Sequence, residues 1–159
     1  MKSLVEQMAF YRSYHTTFGC KFTHWFGIPL VTFSILIPMA WAGLPIGGFR
    51  VTLEMVFVAA TLGYYFMLDK LLATIMVVCI LPLAWAAAGV ADKPMGEGVW
   101  IFLAAFAGGV ALQLAGHFIE GKRPALVDNF FQAVFTAPLF LVAEAISPLG
   151  WKPAGEKKA

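Results

Sequence analysis

Charge is scarce in this chain. Of its 159 residues, 13% are Asp, Glu, Lys or Arg, against about a quarter in a typical soluble domain, and 60% are hydrophobic. A water-facing surface cannot be built from that inventory, so the solvent implied is a bilayer. Cysteine is as sparse: Cys20 and Cys79 are the only two and form no CxxC pair, which argues against a disulfide scaffold or a cysteine-type zinc module. There is no Gly-rich dinucleotide loop, no P-loop and no Ser nucleophile elbow, so an enzyme here would draw its power from a metal. The net charge of +2 is too small and dispersed for a nucleic-acid surface, and no nucleic-acid partner is expected. An internal repeat is missing too. Glu6, Gln7, Tyr11, Arg12 and His15 interrupt the apolar core that a cleavable signal peptide would need.

What the chain has instead is long apolar runs. Four of them, at about 25–43, 51–68, 71–90 and 99–119, reach or approach the ~20 residues needed to cross roughly 30 Å of hydrocarbon as helix. A fifth run, 130–147, carries Gln132, Pro138 and Glu144 and reads as half-buried among its neighbours or as a fifth span. Residues 1–23 read as an amphipathic interfacial segment. The expected fold is all-α: a polytopic membrane helical bundle in one domain, 1–159, with four to five apolar helices plus an N-terminal interfacial helix. Only Asp69 and Lys70 separate the second run from the third, and their adjacent opposite charges can end both spans at headgroup level. With the N-terminus inside and four crossings, Lys2, Arg12, Lys21, Lys70, Lys122 and Arg123 share the cytoplasmic side, leaving Arg50 and Lys93 outside. An integral membrane protein in contact with lipid follows, placed in the inner membrane if bacterial.

The chain's three histidines, His15, His24 and His117, then fall at one interface, because His24 opens the first run and His117 closes the fourth. At about 100° per residue, Gln113, His117 and Glu120 share one helical stripe at i, i+4 and i+7. On the same helix Ala104 and Gly108, then Ala111 and Ala115, give small-xxx-small spacing for close helix approach. His15 and His24 are half a turn out of phase on one continuous helix, so the chain must break between them. Gly19, preceded by Thr16 and Thr17, is the expected breaker.

Imidazoles with or without one carboxylate, here Glu120, suit Zn, Fe, Cu or Ni better than Mg or Ca, and leave coordination positions open. Plainer uses exist for each residue. A histidine can be an interfacial anchor, Glu120 a partner of Lys122 or Arg123, and those two cations the holders of an anionic headgroup or a substrate carboxylate. Two function classes stay open: a metal enzyme, and a membrane lipid-binding, transport or scaffold protein without catalysis.

Two segments carry a resemblance: YRSYHTTFGCKFTHWFGIP at 11–29 and QLAGHFIEGKRPALVDNFFQAVFTAPLFLVAE at 113–144. Their Tyr-x3-His-x8-His-x2-Gly-Ile-Pro spacing, and the run from Gly116-His117 through Arg123-Pro124-Ala125-Leu126 to Asp128-Asn129, resemble the membrane 2-hydroxy fatty acid dioxygenase family over nearly the whole chain. The resemblance implies a non-haem Fe(II) enzyme that uses dioxygen to convert a long-chain 2-hydroxy fatty acid into the acid one carbon shorter. It also implies that His15, His24 and His117 bind iron and serve catalysis, with Glu120 a further candidate ligand. Lys122, Arg123, Tyr11 and Asn129 are the candidate substrate contacts, and the acyl tail is expected among Phe22, Phe26, Phe118 and Phe130. Two departures accompany it. Cys20 stands where the family usually has Asn, and the link from His117 to Arg123 is one residue shorter than in fungal relatives, which puts the carboxylate at i+3.

Overall fold

The computed structural model describes residues 3–124 and 130–153. They form helices α1 (Leu4–Tyr14), α2 (Phe18–Trp41), α3 (Leu53–Leu68), α4 (Lys70–Ala91), α5 (Met95–Glu120) and α6 (Phe130–Ile146). Between α2 and α3, strands β1 (Gly43–Ile46) and β2 (Phe49–Thr52) pair antiparallel. Helices α2, α4 and α5 are each long and apolar enough to cross a membrane, whereas α3 is apolar but only 16 residues long, about 24 Å. The expected all-α membrane bundle is therefore the architecture found.

The element boundaries differ from expectation for identifiable reasons. Helix α2 begins at Phe18, not near residue 25, because Thr17 is extended and its hydroxyl accepts from the Cys20 N–H at 3.3 Å. Residues 18–23 thus belong to the first long helix, and only α1 is left as a separate N-terminal helix. Gly19 is not the breaker. It sits inside α2, and a Cβ there would stand 3.0 Å from Ile119 Cγ2 of α5. The break lies at His15–Thr17. Residues 51–52 belong to β2, in a hairpin whose tip, Gly47 and Gly48, has φ of +56° and +82°, as a tight primed turn requires. The break at Asp69 is found as expected. Extended at φ −158°, this residue ends α3 and caps α4, its Oδ1 accepting from the Leu72 N–H at 2.9 Å.

Helix α1 opens with a capping box, Ser3 and Glu6 each bonding the other's backbone N–H. Its buried stripe is Leu4, Gln7, Met8 and Tyr11, at i, i+3, i+4 and i+7. Gln7 bonds the hydroxyls of Tyr64 at 3.1 Å and Thr136 at 3.0 Å, tying α1 to α3 and α6. Glu144, the carboxylate that interrupts the last apolar run, lies 2.6 Å from Lys21 Nζ and 3.3 Å from Arg12 Nε. It thereby fastens α6 to the α1–α2 corner.

Helices α2 and α5 make the most extensive pairing in the bundle. A Cβ on Gly109 would stand 2.7 Å from Val31 Cγ2 and 2.9 Å from Val31 N, and one on Gly27 would stand 3.0 Å from the Gly109 carbonyl oxygen. The two backbones therefore touch. The small residues of α5 that face α2 are Gly108, where a Cβ would stand 3.6 Å from Leu30 Cδ2, Gly109 and Gly116; Gly108 belongs to the expected stripe, whereas Ala104, Ala111 and Ala115 are exposed. Both sets are small and apolar, and in hydrocarbon the difference between them is how closely the partner backbone can approach.

Candidate metal centre

The site forms where the α1–α2 corner meets the last turn of α5. His15 caps α1, its N–H bonding the Arg12 carbonyl at 3.2 Å; His24 lies in α2 and His117 near the end of α5. The three rings meet edge to face, with centroids 4.5 Å apart for His15–His24, 4.9 Å for His24–His117 and 5.1 Å for His15–His117. They are 2%, 2% and 7% exposed in chain order.

Two backbone carbonyls decide the tautomers. His15 Nδ1 lies 2.9 Å from the Tyr11 oxygen and His24 Nδ1 lies 2.8 Å from the Cys20 oxygen. A carbonyl only accepts, so each Nδ1 carries the proton and each neutral Nε2 keeps a lone pair. His15 Nε2, His24 Nε2 and His117 Nδ1 are buried without a hydrogen-bond partner among the described residues. Leaving one such atom unpaired costs about 1–3 kcal/mol; ligand atoms within 4.8 Å of one another are found among the described residues on His15, Cys20 and His24, a set that does not include His117. A carbonyl on the far nitrogen is also how metal-bound imidazoles are usually held. Burial pushes the His15 pKa below its ordinary value, against the opposing Tyr11 carbonyl and Glu120 carboxylate, so the ring stays neutral as ligation requires. The donor set fits a divalent first-row metal.

Around the rings, Tyr11 stacks on His15 with centroids 4.3 Å apart and planes 3° from parallel. Cys20 Sγ lies 3.7 Å from His24 Nδ1. His15, Cys20 and His24 offer ligand atoms within 4.8 Å of one another, which adds Cys20 to the candidates. From sequence Cys20 stands out only as a departure from the family; its i−4 spacing from His24 was the available signal.

Glu120 engages the Thr16–Thr17 bend and stands beside Lys122, the plainer of its two expected uses. Its Oε1 accepts from the N–H of Thr16 at 3.0 Å and from the Thr16 hydroxyl, and its Oε2 from the N–H and hydroxyl of Thr17 at 2.8 and 2.6 Å. Four donors match the roughly four lone-pair sites of a carboxylate. With its side chain 1% exposed, Glu120 clasps the bend between His15 and α2. Lys122 reinforces the clasp, its Nζ donating to the Ser13 carbonyl at 2.7 Å and standing 3.8 Å from Glu120 Oε1.

The other expected contacts divide. Gln113 shares the inward stripe with His117 and donates to the Gly27 carbonyl at 3.4 Å, and Arg123 is exposed. Asn129 and the Phe130 side chain lie outside the described residues. Phe22, Phe26 and Phe118 are 54%, 58% and 90% exposed, so they face outward and form no cradle beside the histidines.

Close helix contact holds His24 in place. A Cβ on Gly116 would collide with Thr23 Oγ1 and stand 2.8 Å from His24 Nδ1. Gly116→Ala is therefore expected to lower stability by about 1–3 kcal/mol and to weaken metal binding by turning the His24 ring. Thermal melting and a metal titration check this, and parental values in both would mean that the α2–α5 contact yields without disturbing the ring.

Comparison with curated proteins and with solved structures returns no match. A family model does match, over residues 1–149, and its description names a 2-hydroxy-palmitic acid dioxygenase. By that match, which spans nearly the whole chain and includes all three clustered histidines, the protein belongs to the 2-hydroxy-palmitic acid dioxygenase Mpo1-like family.

Proposed function

We propose that the protein is an Fe(II)-dependent dioxygenase that α-oxidises long-chain 2-hydroxy fatty acids at the cytoplasmic face of a membrane. The observation that carries this reading is the trio of buried, unpartnered nitrogens on His15, His24 and His117. The family's description supplies the substrate class. In the balanced reaction, RCH(OH)COOH and O2 give RCOOH, CO2 and H2O: the acid gives up the four electrons that reduce dioxygen fully. No flavin or nicotinamide is needed. Iron bound there supplies a Lewis acid and a one-electron redox partner for two substrates that react poorly alone.

The chain's own residues orient and shelter. His15, His24 and His117 hold the metal, with the first two rings fixed by the carbonyls of Tyr11 and Cys20. Tyr11 keeps the His15 plane in register by stacking, and Glu120 fixes the bend that carries His15. Tyr11, Gln113 and His117 share the wall of a cavity of about 100 Å³ that takes the hydroxy-acid head. Lys122 and Arg123, just past the end of α5, attract the carboxylate toward that cavity; Asn129 joins them as a candidate contact.

The test is oxygen uptake by detergent-purified protein, reconstituted anaerobically with Fe(II) and then given 2-hydroxyhexadecanoate and oxygen, with product masses read from the same vial. Uptake matched by pentadecanoic acid supports the reaction. Iron retained without turnover of any 2-hydroxy acid removes the reaction and leaves the metal site. Protein that binds no iron returns the reading to a lipid-binding, transport or scaffold role.

A further inference from the structure

The outward-facing phenylalanines leave the acyl tail without its expected bed, and the bundle interior offers another. The cavity beside His117 is lined in part by Ile28, Thr32 and Pro138. Those same three residues also line a second, larger and partly open cavity of about 220 Å³ between α2, α4 and α6. Its lining includes Met76, Ile80 and Leu141 and contains no charged residue. Prolines explain the space. Pro138 within α6 and Pro29 within α2 lack an N–H and crowd the carbonyl four residues back, which opens the helix at that turn. Polarity falls in one direction, from Tyr11, Gln113 and His117 to an aliphatic chamber that reaches the exposed residue Cys79. An amphiphilic acid has the same gradient. A third cavity, toward Thr61 and Tyr65, shares Thr32 and Pro138 but holds only about 60 Å³.

We infer that the acyl tail of the 2-hydroxy acid passes between Ile28, Thr32 and Pro138 into the α2–α4–α6 chamber, its methyl end lying toward Cys79. This placement rests on the proposed substrate class. It makes Thr32 and Pro138 the neck of the path and Cys79 its lipid-side mouth, where the methyl end of the chain comes to lie.

The experiment uses iron-reconstituted, full-length protein kept anaerobic, so that binding is read without turnover. A 2-hydroxyhexadecanoate carrying a diazirine near its methyl end is photolysed and its adducts are mapped by mass spectrometry. Adducts are expected on Ile75, Met76, Cys79 or Leu83 of α4 and on Leu141 or Val142 of α6. Adducts confined to Thr61 and Tyr65, adducts confined to Phe22, Phe26 and Phe118, or none at all, overturn the path. A companion variant, Cys79→Trp, fills the mouth from an exposed position. It is expected to weaken binding of the 16-carbon acid by about fourfold for each methylene displaced, while 2-hydroxyoctanoate binds as before. Equal losses for both acids would also overturn it. The path and the reaction fail separately: α4 adducts without turnover remove only the reaction, and turnover with adducts elsewhere removes only the path.

Discussion

His117→Ala is expected to lose iron and turnover together. His15 and His24 approach from one side of the cluster, on the α1–α2 corner, and His117 is the member supplied by α5. Without it, the two imidazoles and the Cys20 thiol of the corner remain to hold a labile divalent ion. The loss of affinity should exceed the roughly 10–100-fold that removing a mere outer-shell partner costs. The metal-free protein should hardly notice the change, because the replaced ring carries a buried nitrogen with no partner and its removal relieves as well as creates a penalty. Melting with and without Fe(II) makes this visible: iron raises the melting temperature of the parent and leaves the variant where it was. A variant that keeps stoichiometric iron but is inactive would show His117 to be a base and not a ligand.

Glu120→Ala should behave the opposite way, losing stability whether or not iron is present. The substitution strips acceptors from the N–H groups of Thr16 and Thr17 and from both hydroxyls, at a corner where Thr16 is exposed and Thr17 half-buried. A loss of about 1–3 kcal/mol is expected, on the scale of losing hydrogen bonds to a charged group that is only partly shielded from water. Glu120→Gln, which keeps the shape but turns an NH2 toward one pair of donors, should fall between. Iron affinity declines as well, because the bend that aims His15 is no longer held. Chemical denaturation of the metal-free variants separates an organising from a ligating role. If Glu120→Ala leaves the metal-free protein as stable as the parent yet abolishes iron binding, Glu120 is a ligand and the clasp is incidental.

The bundle was readable because its signals are long. Apolar runs of near-spanning length, the Asp69–Lys70 interruption and the burial of Glu144 against Arg12 and Lys21 all follow from composition and the cost of charge in hydrocarbon. The convergence of the histidines was readable as well, since topology alone brings His15, His24 and His117 to one end. What escaped was decided by single hydrogen bonds. Thr17 caps α2 and so starts it early, moving the break from Gly19 to the His15–Thr17 bend. Glu120 is drawn to that bend by two threonines far away in sequence, which spacing along α5 does not reveal. Pattern reading likewise cannot say which small residues of α5 meet α2, or that the phenylalanines flanking the histidines turn outward. In a bilayer an apolar side chain is equally at home inside or out, so the periodicity that marks a buried face in water carries little information here.

The distance along the chain between the two sides of the cluster sets an order of maturation. At about 5–20 residues per second, synthesis delivers His117 seconds after His24. Until α5 has been laid against α2, the corner presents His15, Cys20 and His24, a sulfur-bearing set, and Thr16 and Thr17 lack the Glu120 carboxylate. The arrival of one helix then completes the trio of nitrogens and locks the bend at the same moment. On the proposed reading, His117 can join the site only once α5 has packed against α2, after the corner that carries His15 and His24 has been made.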